Sequence, residues 1–290
     1  MTRASERIVK QKGAALIMVL LISAVLGVLV TLTAYQSRML VMQGGLLKGN
    51  LEAERKISNI QAELIYKLTT SSVWLLGPKA SRLEAAELPL DLNFFGAPFL
   101  YEDVTIQIQD MSGLLSIIPF DENTFKQLLK TNGISEERIN IASDSIQDWM
   151  DMDDFRRLNG AERSDYNVEG FPRNGYPPSL NELREVQGVD EQIFSIILLN
   201  STLLGSGGIV DQFAPSSILS ALKTGETVNS IESLREKQSS LLDEGFYPSR
   251  RLRISLSTSG EQGGYSRSFV LVRGMGTREP FFLAEYKFGS

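Results

Sequence analysis

The sequence predicts an α+β fold in which a long N-terminal helix packs on a small antiparallel sheet, with a large all-helical domain inserted into that sheet. Three observations predict it. An uncharged, mostly apolar run of 21 residues, Ala14 to Ala34, is followed by good helix formers as far as Leu76. Strand candidates stand on both sides of a long central stretch, one before it and three after, with clear alternation at Val104–Gln109 and Arg251–Leu256. The central stretch, residues 120–247, instead carries helix caps and helical apolar spacing.

Each element has its own justification. No charge lies between Lys12 and Arg38. A helix of residues 14–34 would be about 32 Å long, enough to cross a hydrocarbon core of about 30 Å. Residues 35–76 should continue the helix, with Leu51, Ile57, Ile60, Leu64 and Leu68 as its apolar positions. Gly44-Gly45 and Gly49 weaken it locally, and Gly77-Pro78 should end it. Residues 79–100, punctuated by Pro and Gly, read as a loop. Val104, Ile106 and Ile108 alternate with polar residues as a half-buried strand, closed by Asp110-Met-Ser-Gly113. Leu252–Leu256, Tyr265–Arg273 and Phe281–Phe288 are the later strands, with turns at Gln262-Gly263-Gly264 and Gly274-Met-Gly276.

In the insertion, Asp121 can cap a helix carrying Phe125, Leu128 and Leu129, which Asn132-Gly133 ends. Ser135-Glu-Glu opens another, with Ile139, Ile146 and Trp149. Ser179-Leu-Asn-Glu182 has capping-box spacing and leads through Gly188-Val189-Asp190 to an apolar run, Ile193–Leu199. That pattern looks like a helix-hairpin-helix element. Its flanks are Glu182, Glu185, Asp190 and Glu191 with only Arg184 basic, so it reads as a packing unit and no nucleic-acid partner is expected. A faint internal echo links Gly113–Leu129 with Gly208–Leu222: each is a glycine, an extended apolar segment, a polar cap and a short helix.

Composition narrows the chemistry. The 290 residues include no Cys and no His, with a net charge of −6. Serine-histidine triads, cysteine nucleophiles and histidine or thiolate metal sites are excluded, and the chain reads as a non-enzyme. Residues 121–200 hold 16 Asp and Glu against 8 Lys and Arg. Within them, Asp148 to Glu169 carries seven acids and three arginines. Hard cations such as Ca²⁺ need six to eight oxygens, which such a segment supplies. A solvated acidic loop paired to Arg156, Arg157 and Arg163 explains the same residues equally well. A glycosidase carboxylate pair would need a sugar cleft, which nothing in the sequence indicates.

The N-terminus sets orientation. Arg3, Arg7, Lys10 and Lys12 against Glu6 keep the leader cytoplasmic and send everything after Ala34 across the membrane. A secretory signal would be shorter in its apolar part and cut after it. Here the small residue, Gly13, comes before the apolar run. That order resembles the prepilin class of leaders, with cleavage between Gly13 and Ala14. A signal anchor that is never cut remains the alternative at this level.

Several motifs together resemble the general secretion pathway protein K family, the large minor pseudopilins of type II secretion. They are Gln11-Lys-Gly-Ala-Ala-Leu-Ile-Met-Val-Leu-Leu21, Asp148-Trp-Met-Asp-x-Asp with Asn159-Gly-Ala-Glu-Arg-Ser-Asp-Tyr166, and Ser179-Leu-Asn-Glu-Leu-Arg-Glu-Val-Gln-Gly-Val189. The segment Met152-Asp-Asp-Phe-Arg-Arg157 is more basic than is usual there. The resemblance implies a pilin-like fold, divided as leader 1–13, transmembrane and assembly helix 14–34, helix and first part of the α/β domain 35–119, inserted helical domain 120–247 with its acidic loop 148–169, and C-terminal strands 248–290. It implies calcium in the acidic segment, with Asp151, Asp153, Glu162 and Asp165 as ligands and Asn159 or main-chain carbonyls completing the shell. It implies methylation of Ala14 after cleavage. Most pilins carry glutamate at the fifth mature residue; here that residue is Met18, as in the protein K family. A subunit without this carboxylate cannot pair with one above it, which places it at the tip, initiating or capping a pseudopilus for export across the outer membrane. The implied partners are other minor pseudopilins, the major pseudopilin, prepilin peptidase and the inner-membrane secretion platform. The implied location is the inner membrane, single-pass, with the C-terminal domain in the periplasm. A minor pilin of a type IV pilus, or a bitopic envelope protein with a periplasmic ligand-binding domain, fits the same residues more loosely.

Overall fold

The computed structural model describes residues 6–205, 208–238, 247–258, 264–274 and 280–289. The chain divides near Lys56 into two units.

The first unit is built on the N-terminal part of α1, a helix that spans Glu6–Thr70. From Ala15 onward it is long and apolar enough to cross a membrane, with a window of mean hydropathy 2.9 and none of that window buried. Side chains that would be costly in water, among them Leu20, Leu29 and Leu32, are all exposed. Thr31 and Thr33 return their hydroxyls to carbonyls one turn back, which satisfies them without water. Gly44, Gly45 and Gly49 lie inside uninterrupted helix.

The second unit begins at Ile57. There the same helix turns one stripe inward: Ile57, Ile60, Leu64 and Leu68 are all buried, at the three- and four-residue spacing of one helix face. The helix stops at Thr70, six residues short of the expected end. Ser71 and Ser72 interrupt it, and a single further turn, α2 (Val73–Leu76), closes at Gly77, whose φ of 86° only glycine adopts easily. Residues 79–100 are not all loop. Six helix-tolerant residues after Pro78 form α3 (Ala80–Ala85), held by buried Leu83. The stretch ends in β1 (Phe99–Tyr101), which pairs antiparallel with β2 (Val104–Asp110). Glu102 and Asp103 make the two-residue turn between them with φ of 47° and 61°, the backbone sign of a primed hairpin turn. Neither residue is the usual Asn-Gly signal, so the hairpin was invisible to pattern.

The four expected strands join β1 in one five-stranded sheet in the order β1-β2-β5-β6-β7, with β5 (Arg251–Thr258), β6 (Tyr265–Arg273) and β7 (Phe281–Gly289). Ile106 stands opposite Leu256 and Ile108 opposite Ile254 across β2 and β5, all fully buried. Arg267 of β6 donates to Ser58 and Gln61 of α1, tying helix to sheet. Parts of both proposed turns, 262–263 and 275–276, lie outside the described residues.

Between β2 and β5 lies the insertion. It is not wholly helical: β3 (Leu115–Ile118) and β4 (Ser201–Leu204) form a parallel pair. Both are four-residue strands without clean alternation, which sequence pattern reads poorly. Around them stand α4 (Glu122–Thr131), α5 (Glu136–Met150), α6 (Glu191–Asn200), α7 (Ser216–Leu222) and α8 (Gly225–Gln238). Asp121 accepts from the Thr124 amide at 3.2 Å, so α4 is capped as expected, and Asp190 accepts from the Ile193 amide at 3.0 Å, a cap on α6 that was not among those expected. Ser179 does not cap. Residues Leu180–Glu185 form a 3₁₀ segment, because Glu182 is drawn instead to Trp149 and Arg173. The internal echo holds in its helices, α4 and α7, which are joined by a Gln127 to Ala221 carbonyl bond. It fails in its extended parts, where β3 is matched by a 3₁₀ turn, Asp211–Phe213. One continuous core fills the insertion, from Phe125 and Trp149 to Phe194 and Leu219.

A candidate cation site at the end of α5

α5 ends at Met150, and its last turn buries Trp149 completely. Tyr166 and Phe171 meet the indole edge-on at 5.4 and 4.7 Å, and the indole N–H donates to Glu182 at 3.0 Å. Arg173 pairs with that same carboxylate. The Glu182 carboxyl is thereby held below the usual range, first by Arg173 and then, against burial, by the indole. These contacts pin both ends of the acidic loop to the core.

Inside the loop, Asp148 is fully buried and accepts from the Arg157 main-chain N–H at 3.2 Å and its guanidinium at 2.6 Å. Arg157 also pairs with Asp151. Burial alone would weaken the guanidinium's hold on its proton, but the two carboxylates outweigh it and keep the group firmly charged. Gly160 folds against Asp148 so closely that a Cβ there would stand 1.9 Å from a carboxylate oxygen. Asn174, at φ of 50°, donates to the Asp153 carbonyl and to the Asp154 carboxylate.

This scaffold gathers three of the expected ligands. One oxygen each from Asp151, Asp153 and Glu162 lie within 4.8 Å of one another. Two oxygens that share one Ca²⁺ at about 2.3–2.6 Å each can stand as far as about 5 Å apart, so a spread of this size admits a common ion. Glu162 is 4 % exposed, and neither of its carboxylate oxygens has a hydrogen-bond partner; Asp151 Oδ1 and Asn174 Oδ1 are likewise buried and unpartnered. Burial, then the fields of Asp148, Asp151, Asp154 and Asp153, push the Glu162 carboxyl up to about 7. A buried, unbonded carboxylate among four others is an arrangement that a hard cation completes. The residues present therefore fit calcium.

The other two expected ligands are turned elsewhere. Asn159 is held by Asp144, which accepts from both its main-chain N–H and its amide at 3.0 Å. Asp165 accepts from the Glu162 amide at 3.0 Å and pairs with Arg156 at 3.2 Å, so it positions Glu162. Sequence reasoning missed Asn174 altogether. It lies outside the acidic run, and only its place in an Asn-Gly turn marked it.

Met18 is exposed on α1, and the backbone of Gly13 and Ala14 is helical.

The elements define a class of fold: pilin-like α+β, with a long apolar N-terminal helix and a largely helical insertion in its sheet. Comparison with solved structures agrees. A chain in the crystal structure of the GspK–GspI–GspJ complex of the enterotoxigenic Escherichia coli type 2 secretion system shares the fold, with a TM-score of 0.51, 15 % identity, and 84 % of this chain and 99 % of that one covered. Residues 108–199, which include the whole candidate site, match the family of type II secretion system protein K. The type II secretion system protein K of Dickeya chrysanthemi is 31 % identical over 81 residues, covering 28 % of this chain and 23 % of that protein. The namesake of Pectobacterium carotovorum is 29 % identical over 92 residues, covering 31 % and 28 %. The alignments thus span about a quarter of the length of these curated relatives.

Proposed function

We propose that the protein is a minor pseudopilin at the tip of a type II secretion pseudopilus, where it initiates or caps assembly. It is read as a structural component with no catalytic role. The observation that carries this reading is α1: one helix that is apolar and fully exposed over a membrane-length stretch and buries a stripe in its own domain only from Ile57 onward. Met39, Leu40, Met42 and Leu47, beyond the span, are exposed too. So much apolar helix outside a core requires lipid first and partner helices afterwards. The structural relative, crystallised in a complex of K, I and J subunits, supports other minor pseudopilins as those partners. The major pseudopilin, prepilin peptidase and the inner-membrane platform complete the set. The helix would anchor the protein in the inner membrane with its C-terminal domain in the periplasm.

Met18 supports the tip position. A carboxylate in a low-dielectric helical bundle is tolerable only when paired. With methionine at this position no such charge exists, and no subunit above is needed to neutralise one. Calcium belongs to the same reading. Asp151, Asp153 and Glu162 would hold it, Asn174 or main-chain carbonyls would add oxygens, and the ion would fix the loop that closes over Trp149.

Cross-linking tests this directly, because the native chain has no cysteine. Cysteines placed at exposed positions such as Leu40 and Leu47 should capture other minor pseudopilins in cells, and Met18→Glu should weaken secretion. Absence of any such adduct, with secretion intact after deletion of the protein, would overturn the reading.

A further inference from the structure

Arg157 carries the wrong sign for a cation site, yet it stands among the carboxylates. Asp148 is fully buried and both its oxygens are engaged by this one residue: Oδ1 accepts from the guanidinium at 2.6 Å and Oδ2 from the main-chain N–H at 3.2 Å. Gly160 closes over Oδ2 so tightly that not even a Cβ fits. The most deeply buried acid of the loop is therefore closed to a metal ion. Asp151 is divided. Its Oδ2 pairs with the same guanidinium nitrogen, while Oδ1 is buried with no partner. Both oxygens of Glu162 are buried and unpartnered as well. The Arg157 carbonyl accepts from the Gly160 N–H at 3.2 Å, so the arginine links the last turn of α5 to the segment that delivers Glu162.

We propose that Arg157 is a positioning residue of the cation site: it neutralises Asp148, holds one oxygen of Asp151 and leaves the other for calcium, so that the loop is folded before the ion arrives. The proposal rests on the calcium reading. A guanidinium suits the task because it stays charged and can serve two carboxylates at once. Without it, Asp148 would be a buried charge with no partner, beside three more carboxylates, an arrangement that opens a loop. With it, four carboxylates against one guanidinium remain net acidic, so a divalent ion is still attracted. A purely structural ion pair is needed equally with and without calcium. A resident cation that stands in for the ion is needed most when the ion is absent, and that difference is testable.

The test is hydrogen exchange of the full chain in phosphatidylcholine nanodiscs, read by mass spectrometry over residues 148–166 in calcium and in chelator. The calcium-induced change in melting temperature is followed on the same samples. The wild-type loop should be protected in both media. In Arg157→Gln, which keeps the main-chain N–H, the loop should exchange at least about tenfold faster in chelator, and calcium should restore most of the protection. Asp148→Asn combined with Arg157→Gln removes the buried charge together with its partner. This double variant should stay protected in chelator and keep the calcium-induced melting rise, and it decides the matter if Arg157→Gln alone does not fold. Equal protection of Arg157→Gln and wild type in chelator overturns the proposal, as does a wild-type loop that opens in chelator as far as the variant's. Fast exchange in Arg157→Gln that calcium does not reverse, while the wild type still melts higher in calcium, makes the arginine a purely structural ion pair and overturns the proposal alone. Loss of the melting rise only in the double variant places Asp148 among the ligands and overturns it too. A wild type whose melting ignores calcium overturns the calcium reading and this proposal with it.

Discussion

Glu162 is where the chemistry of the domain is concentrated. Its carboxyl is buried, unbonded and pushed up to about 7 by burial and by its neighbours. Binding of a cation to the folded state alone stabilises it by mass action. Glu162→Gln should therefore abolish the calcium-induced rise in melting temperature. In chelator the variant should melt no lower than the wild type, since the amide removes a charge that the empty cluster repels. Differential scanning calorimetry in calcium and in chelator checks both halves. Glu182 behaves oppositely. Its folded pKa is depressed, so its contribution is full above the unfolded value near 4.5 and is lost as pH falls through the folded value. Glu182→Gln should be clearly destabilised at pH 7, with the gap to wild type closing as the solution is made more acidic than pH 4; urea unfolding across that range measures it. At this scale the site was half legible. Residue type and density named the acidic segment, but spacing could not tell which carboxylates face inward. Asp165 and Asn159 were drawn off by a main-chain amide and by Asp144, contacts that only the folded loop creates.

At the scale of elements, what was legible is what periodicity encodes. The buried stripe Ile57, Ile60, Leu64 and Leu68 and the alternation of β2 and β5 follow from side chains that repeat with their element, and the Asp121 cap from a residue type placed just before a helix. The elements missed were short and held by tertiary context: the β1–β2 turn with Glu102 and Asp103 at positive φ, the parallel β3–β4 pair, and the 3₁₀ segment in which Glu182 prefers Trp149 to its own helix. The stripe supplies a prediction. Leu64→Ala removes a fully buried side chain and should cost about 2–5 kcal/mol of stability, whereas Leu47→Ala on the exposed part of α1 should leave denaturant unfolding unchanged and impair only assembly. Equal destabilisation by both would mean that residues near 47 pack on the protein's own domain.

The whole molecule joins a helix long and apolar enough to cross a membrane to a domain with a closed core, and the proposed assembly role requires that the helix be released into a filament. A span that ends in a retained basic leader stays anchored. A span cut at Gly13 becomes a mature N-terminus able to leave the bilayer laterally and pack among other helices. The most direct measurement is the intact mass and N-terminal peptide of the protein recovered from cells with an active prepilin peptidase. The expected product is a chain beginning at Ala14, methylated on its amine, and lost when Gly13 is replaced by a bulky residue. A mature protein that retains Met1, or one that begins beyond the apolar run, would contradict it.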